Sequence, residues 1–100
     1  MEADVVVVGS GAAGMTAAVV AAKAGLEVVV LESTPYFGGT TAFSGGGVWI
    51  PQNHHQKQMG FEDSRLDAEV YLKAVLGNYY DAEKIGAFLD NAPEMLRYME

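Results

Sequence analysis

Four consecutive β-branched apolar residues, Val5 to Val8, run directly into a glycine-spaced segment, Gly9-Ser10-Gly11-Ala12-Ala13-Gly14. An apolar run without alternation predicts a strand of a parallel sheet, covered on both faces. The alanine-rich stretch after it predicts a helix from about Gly11 to Ala24, with Ala17, Ala18, Ala21 and Ala22 supplying helix propensity and thin packing against strands. Gly25 ends this helix as the residue after its cap. A second apolar run, Glu27 to Leu31, predicts the second strand. Strand, helix and strand in this order make a βαβ unit.

Beyond Leu31 the pattern changes. Ser33 to Phe37 predicts a loop. Residues 38–47 hold five glycines in ten positions and lead straight into the apolar group Val48-Trp49-Ile50-Pro51. A flexible linker is polar on both sides, so this segment is read as backbone kept bare for close contact. Gln52 to Gly60 is polar and predicts a surface loop. Three helices then follow. The first is capped by Asp63 or Ser64 and runs to about Leu76, with Leu66, Val70, Leu72, Val75 and Leu76 on its apolar face and Gly77-Asn78 as its stop. The second is capped by Asp81 and runs to about Leu89, with Ile85, Phe88 and Leu89 inward. The third begins at Pro93, where a missing N–H does no harm. The predicted division of the chain is residues 1–61 and 62–100.

The glycine spacing carries the chemistry. Gly9, Gly11 and Gly14 form G-x-G-x-x-G at the point where strand must turn into helix. Gly9 permits the tight turn, Gly11 lets the backbone approach a pyrophosphate, and Gly14 lets helix and strand pack closely. The helix start offers free N–H groups and the positive end of the helix dipole to phosphates. Glu32, followed by Ser33, stands at the tip of the second strand, where a carboxylate can accept hydrogen bonds from an adenosine ribose; it also disfavours a 2′-phosphate. Thr40, Thr41 and Ser44 place short hydroxyls inside the second glycine segment. They suit phosphate oxygens or a flavin edge, or helix capping by Thr40 or Ser44.

Composition narrows the partners. The chain has 100 residues, 13 acids, 6 bases and a net charge of −7, with the charges interspersed. No basic stripe exists to release counterions from nucleic acid. The absence of cysteine excludes a disulfide framework and thiol catalysis in these residues, and suits a cytoplasmic location. The N-terminus carries acids where a secretory signal carries bases, and no apolar run approaches the roughly 18 residues of a membrane span. His54 and His55 read as exposed loop histidines whose side chains diverge, so no metal site is expected. Trp49 reads as core or pocket wall, and Tyr79 and Tyr80 as packing residues. No catalytic residue stands out. Two strands are few for a parallel sheet, and no stop signal follows the last helix. The chain is therefore read as the N-terminal piece of a longer enzyme.

The segments VVVVGSGAAGMTAAVVAAKAGLEVVVLE and FGGTTAFSGGGVWIP resemble the FAD-binding region of the fumarate-reductase-type flavoproteins, and within them the 3-ketosteroid Δ1-dehydrogenases. The stretch Ala68 to Gly77 is similar to the same group. The resemblance implies an α/β fold, a Rossmann-like FAD-binding βαβ unit with a C-terminal helical extension. It implies that Gly9 to Gly14, with Ser10 and Ala13, hold the pyrophosphate and that Glu32 and Ser33 serve the adenosine ribose. Gly39, Thr40, Thr41, Ser44, Gly45, Gly46 and Gly47 would run beneath the pyrophosphate and beside the isoalloxazine ring. Thr40 stands where succinate-dehydrogenase-type flavoproteins carry the histidine that attaches FAD, which implies non-covalent FAD. Some steroid-group members carry a pocket-lining serine at the position of Gly47, so the pocket wall is barer here. The implied reaction is 1,2-desaturation of a 3-ketosteroid: a tyrosinate-like base removes the C2 proton, acidified by the 3-keto group, and C1 gives hydride to the flavin. The family's catalytic tyrosines lie downstream, and none maps onto Tyr71, Tyr79, Tyr80 or Tyr98. The alternatives are another flavoprotein of the same superfamily, or a non-catalytic nucleotide-binding remnant.

Overall fold

The structure is a computed structural model and describes residues 2–100. The chain forms two compact units, Met1–Gly47 and Val48–Glu100. The division follows the glycine segment, whereas the expected break at 61/62 falls inside the second unit.

The first unit contains β1 (Val5–Val8), α1 (Ala12–Lys23), β2 (Val28–Leu31) and a short 3-10 helix at Gly39–Phe43. β1 and β2 pair in parallel, with Val5 opposite Val28 and Val8 opposite Leu31. Asp4 fastens the start of the pair, because its carboxylate accepts from the Glu27 N–H at 2.8 Å. The Gly9 N–H donates to the Leu31 carbonyl at 2.7 Å and carries the pairing into the turn. At the far end of α1, Gly25 adopts a φ of 89°. The Gly25 N–H bonds the Ala22 carbonyl at 3.0 Å and the Leu26 N–H the Ala21 carbonyl at 3.2 Å, the double closure of a Schellman ending.

α1 covers one face of the two strands. Val7 is buried beneath it, while Val6 and Val8 alternate to the opposite side, where Val8 is 83% exposed. The expectation of strands covered on both faces is therefore met on one face only among the described residues. A single crossover helix can cover no more than that.

The second unit is helical: α2 (His54–Gln58), α3 (Arg65–Leu76) and α4 (Ala82–Met99), with a 3-10 turn at Gly77–Tyr79. The predicted polar loop at 52–60 is corrected here, since His54 to Gln58 are helical. Asn53 caps that helix: its side chain accepts from the Gln56 N–H at 3.0 Å and donates to the Gln56 side-chain oxygen at 2.9 Å. The first bond is an ordinary side-chain N-cap, for which asparagine is a favoured residue, and the second ties the two side chains together. Of the two candidate caps for α3, Ser64 serves, accepting from the Asp67 N–H at 3.1 Å. Asp63 instead accepts from the Gln52 N–H at 2.7 Å.

The inward stripe of α3 is Ala68, Leu72 and Leu76, whereas Leu66, Val70 and Val75 are exposed. Asp81 caps α4, accepting from the N–H groups of Glu83 and Lys84 at 3.1 Å each. The predicted pair of helices after Asp81 is one helix of 18 residues that passes through Pro93. Proline removes one N–H from the ladder, and the buried Leu89 and Ala92 keep the segments on either side in line with the core. Of the apolar group at 48–51, Ile50 and Pro51 are buried, whereas Val48 is exposed. Trp49 stays half exposed, its ring 5.5 Å from that of Tyr71 and 6.2 Å from that of Phe88.

A side chain at position 14 would put its Cβ 2.0 Å from the Gly9 carbonyl oxygen, whereas a Cβ at position 11 would meet nothing nearer than 3.8 Å. Gly14→Ala is expected to destabilise by about 1–3 kcal/mol, as overpacking does. Gly11→Ala is expected to stay within about 0.5 kcal/mol of wild type. Chemical unfolding of the two variants side by side checks both; equal stabilities would refute the assignment of Gly14 to packing.

Candidate dinucleotide site

The turn after β1 uses its three glycines for three different reasons. Gly9 has a φ of 95°, the left-handed region where side chains are strained. Gly14 is required by the approach of α1 to the Gly9 carbonyl. Gly11 has neither need: its φ is −69°, which any residue adopts, and its own chain leaves room for a side chain. The bare main chain at Gly11 lies at the N-terminus of α1, where an added Cβ would make only ordinary contact with the Thr41 hydroxyl at 3.8 Å. There Ala13 and Gly14, lying in the first helical turn, have no intrahelical acceptor for their N–H groups.

The second glycine segment closes over this turn. A Cβ at Gly39 would lie 3.6 Å from Gly11 Cα, so the two clusters approach through glycine backbone on both sides. Thr41 reaches across and its hydroxyl oxygen accepts from the Ala12 N–H at 3.1 Å. The capping hydroxyl thus belongs to Thr41, and it caps α1 rather than the 3-10 helix. That short helix starts from Gly38 with no side-chain cap. Ser44 closes its other end, donating to the Thr41 carbonyl at 2.8 Å and accepting from the Gly46 N–H at 3.2 Å. Thr40 is exposed. Gly45 and Gly47 meet nothing within 4 Å where a side chain would start, and Gly46 has a φ of 74°.

Glu32 sits half-buried just past β2 within a ring of donors. One carboxylate oxygen accepts from the Ser10 N–H at 3.1 Å and the Ser10 hydroxyl at 2.5 Å. The other accepts from the N–H groups of Ser33 at 2.8 Å and Thr34 at 3.1 Å. Hydrogen bonds to the charged form favour it. The Ser10 hydroxyl leads, followed by the Ser10 and Thr34 amides, and together they hold the Glu32 carboxyl down at about 2. Ser10 is 3% exposed, and its hydroxyl also accepts from the Gly38 N–H at 2.8 Å.

Gly9, Ser10, Gly11, Ala13, Gly14, Glu32, Ser33, Gly39 and Thr41 are thus gathered around one helix start, while Thr40 and residues 45–47 have no partner shown there. Sequence reasoning missed Thr34 and Gly38 as members of this network. The signal for Thr34 is the Glu-Ser-Thr run, in which a carboxylate can accept from the next two amides.

In the helical unit, His54 and His55 are corrected in two respects. They lie on α2 rather than in a loop, and their rings converge, with centroids 4.1 Å apart. Both bond the Glu100 carboxylate, at 3.0 Å from His54 and 2.5 Å from His55. The three groups offer donor atoms within 4.8 Å of one another. His55 leads in lowering the Glu100 carboxyl below its ordinary range. A cavity of about 640 Å³ beside this cluster is lined by His54 and by polar groups including Asn53, Asp63, Ser64 and Arg97. Of the tyrosines, Tyr71 touches Trp49 and Tyr80 lies under the Lys73 ammonium at 5.5 Å. No helix among the described residues is long and apolar enough to cross a membrane.

Comparison with known proteins gives this geometry a family. Residues 4–100 match the FAD binding domain. The chain is 55% identical over 98 residues to 3-oxosteroid 1-dehydrogenase of Mycolicibacterium smegmatis, covering 98% of this chain and 17% of that protein. It is 50% identical over 97 residues to 4-oxocyclohex-2-ene-1-carboxylate 5-dehydrogenase of Sinomonas cyclohexanicum, covering 97% of this chain and 16% of that protein. Among solved structures, 3-ketosteroid Δ1-dehydrogenase of Sterolibacterium denitrificans, in complex with 1,4-androstadiene-3,17-dione, is similar at a TM-score of 0.82 and 45% identity. That alignment covers 97% of this chain and 17% of the other. The bare backbone at Gly11 and the helix start beside it have the chemistry that suits a pyrophosphate. The chain belongs to the FAD-binding-domain family, and its cofactor is FAD.

Proposed function

We propose that this chain holds the adenosine and pyrophosphate end of FAD in a cytoplasmic 3-oxosteroid 1-dehydrogenase. The single observation that carries the reading is Gly11: it is bare although neither its backbone angles nor its packing asks for glycine. A ligand pressed against the main chain supplies the missing reason. The amides at the start of α1 would face the pyrophosphate with the positive end of the helix dipole. Gly39 and Thr41 would close over it, and the segment from Ser44 to Gly47 would lead toward the isoalloxazine ring. Bound FAD supplies the hydride acceptor for desaturation next to a ketone. No residue of this chain is assigned a catalytic role.

Glu32 would hold the ribose. Its carboxylate is already surrounded, so ribose hydroxyls would exchange with the exposed side-chain hydroxyls of Ser33 and Thr34 while Ser10 and the main-chain amides keep the acid in place. The FAD is proposed to be non-covalent, since Thr40 offers no nucleophilic imidazole at the motif position. A second reading, desaturation of a smaller cyclic ketone, is favoured by the Sinomonas relative.

Gly11→Val in the full-length protein is expected to abolish FAD retention, because its branched side chain would occupy the space of the diphosphate; Gly11→Ala, whose Cβ meets nothing nearer than 3.8 Å, is the variant expected to stay folded. Flavin absorbance beside circular dichroism checks this, and a purified variant that stayed yellow would refute the pyrophosphate role. Glu32→Gln is expected to weaken FAD roughly tenfold to hundredfold, the scale of charge-assisted bonds. The pH sign follows from the lowered carboxyl. With the folded value at about 2 against an ordinary 4.5, the charge persists as pH falls through 4.5. Its contribution to binding and stability is full above 4.5 and is lost only toward 2. FAD titrations between pH 4 and 7 should therefore show no Glu32-dependent loss. Steady-state assay of the full-length enzyme with an artificial electron acceptor should give turnover on 4-androstene-3,17-dione exceeding that on 4-oxocyclohexanecarboxylate; the reverse order would favour the second reading.

A further inference from the structure

We propose that Ser10 is a positioning residue of the FAD site: its buried hydroxyl aims the Glu32 carboxylate and joins it to the second glycine segment through Gly38. The inference rests on the ribose role of Glu32 and adds what sets that role.

The geometry divides the work on the carboxylate between its two oxygens. One is held by the amides of Ser33 and Thr34, the next two residues of its own loop. The other is held by Ser10 alone, from 22 residues away, through both N–H and hydroxyl. Ser10 therefore fixes the rotation of the carboxylate about its stem and its placement against the βα turn. The hydroxyl has one proton to give and gives it to Glu32. Its oxygen then accepts from the Gly38 N–H, the first fixed point of the segment that carries Gly39 and Thr41 over the start of α1. At 3% exposure, water cannot substitute for the hydroxyl. Alanine there would strand the Gly38 amide and leave that carboxylate oxygen with only the main-chain N–H at position 10.

No charged side chain is among the partners of Glu32. They are Ser10 from the turn and Ser33 and Thr34 from its own loop, all neutral donors. The Ser10 hydroxyl is the foremost of them in keeping the carboxyl ionised. Losing it moves the carboxyl back toward the ordinary range near 4.5.

The experiment measures FAD affinity of the full-length apoenzyme by flavin fluorescence from pH 4 to 8, in wild type, Ser10→Ala, Glu32→Gln and the double variant. Ser10→Ala is expected to weaken FAD about tenfold at pH 7, and to lose further affinity below about pH 5, where wild type does not. In the Glu32→Gln background the same change is expected to cost less than about twofold, because the charge it positions is gone. Equal losses in both backgrounds, or a Ser10→Ala profile parallel to wild type, overturn the proposal. Ser10→Cys keeps the side-chain volume with a weaker donor and should give a smaller loss with the same pH signature, so it decides the matter if the alanine variant does not fold. Unchanged FAD affinity in Glu32→Gln overturns the ribose reading together with this one. A loss in Glu32→Gln that is merely additive with Ser10→Ala overturns this inference alone.

Discussion

The carbonyl oxygen of Gly9 lies where the first carbon of any side chain at position 14 would have to sit. That steric exclusion lets α1 come down onto β1 with Val7 beneath it, and so decides where the helix begins and what its first amides face. The rest of the first unit is arranged around that start. Gly9 reverses the chain, Thr41 caps Ala12 from the far side, and Glu32 is drawn in by Ser10 from the same turn.

Two kinds of bareness operate in this site, and they are easily conflated in a sequence. At Gly9 and Gly14 the absence of a side chain serves the protein's own backbone. At Gly11, Gly45 and Gly47 the described chain makes no such demand. The motif lists all of these glycines alike; only their backbone angles and surroundings separate folding from recognition. A stability measurement responds to the first kind.

The βαβ unit was legible because each of its signals is local and they agree: an unbroken β-branched run, a glycine spacing, an alanine helix and a glycine stop. Glu32 was legible by its distance from the glycines. The Ser10 hydroxyl was not, since its two partners lie 22 and 28 residues away and serine at a turn has many local uses. In the second unit the pattern erred where context outweighed it. Five polar residues, His54 to Gln58, are too few to show a period, yet the Asn53–Gln56 cap makes them a helix. Leu66, Val70 and Val75 shared the helical spacing of a core face but lie on the side of α3 turned from α4. Pro93 carried the mark of a beginning and sits in mid-helix.

That proline gives α4 an uneven character along its length. Upstream, amides seeded by Asp81 form an unbroken run of rungs; at Pro93 one rung is absent, and the Leu89 carbonyl has no amide proton to receive. Cooperative opening cannot pass through a missing rung as it does through an intact one. The final turns are then held less by the ladder than by the bonds of Glu100 to His54 and His55, and amide exchange would divide the helix at this point into two segments.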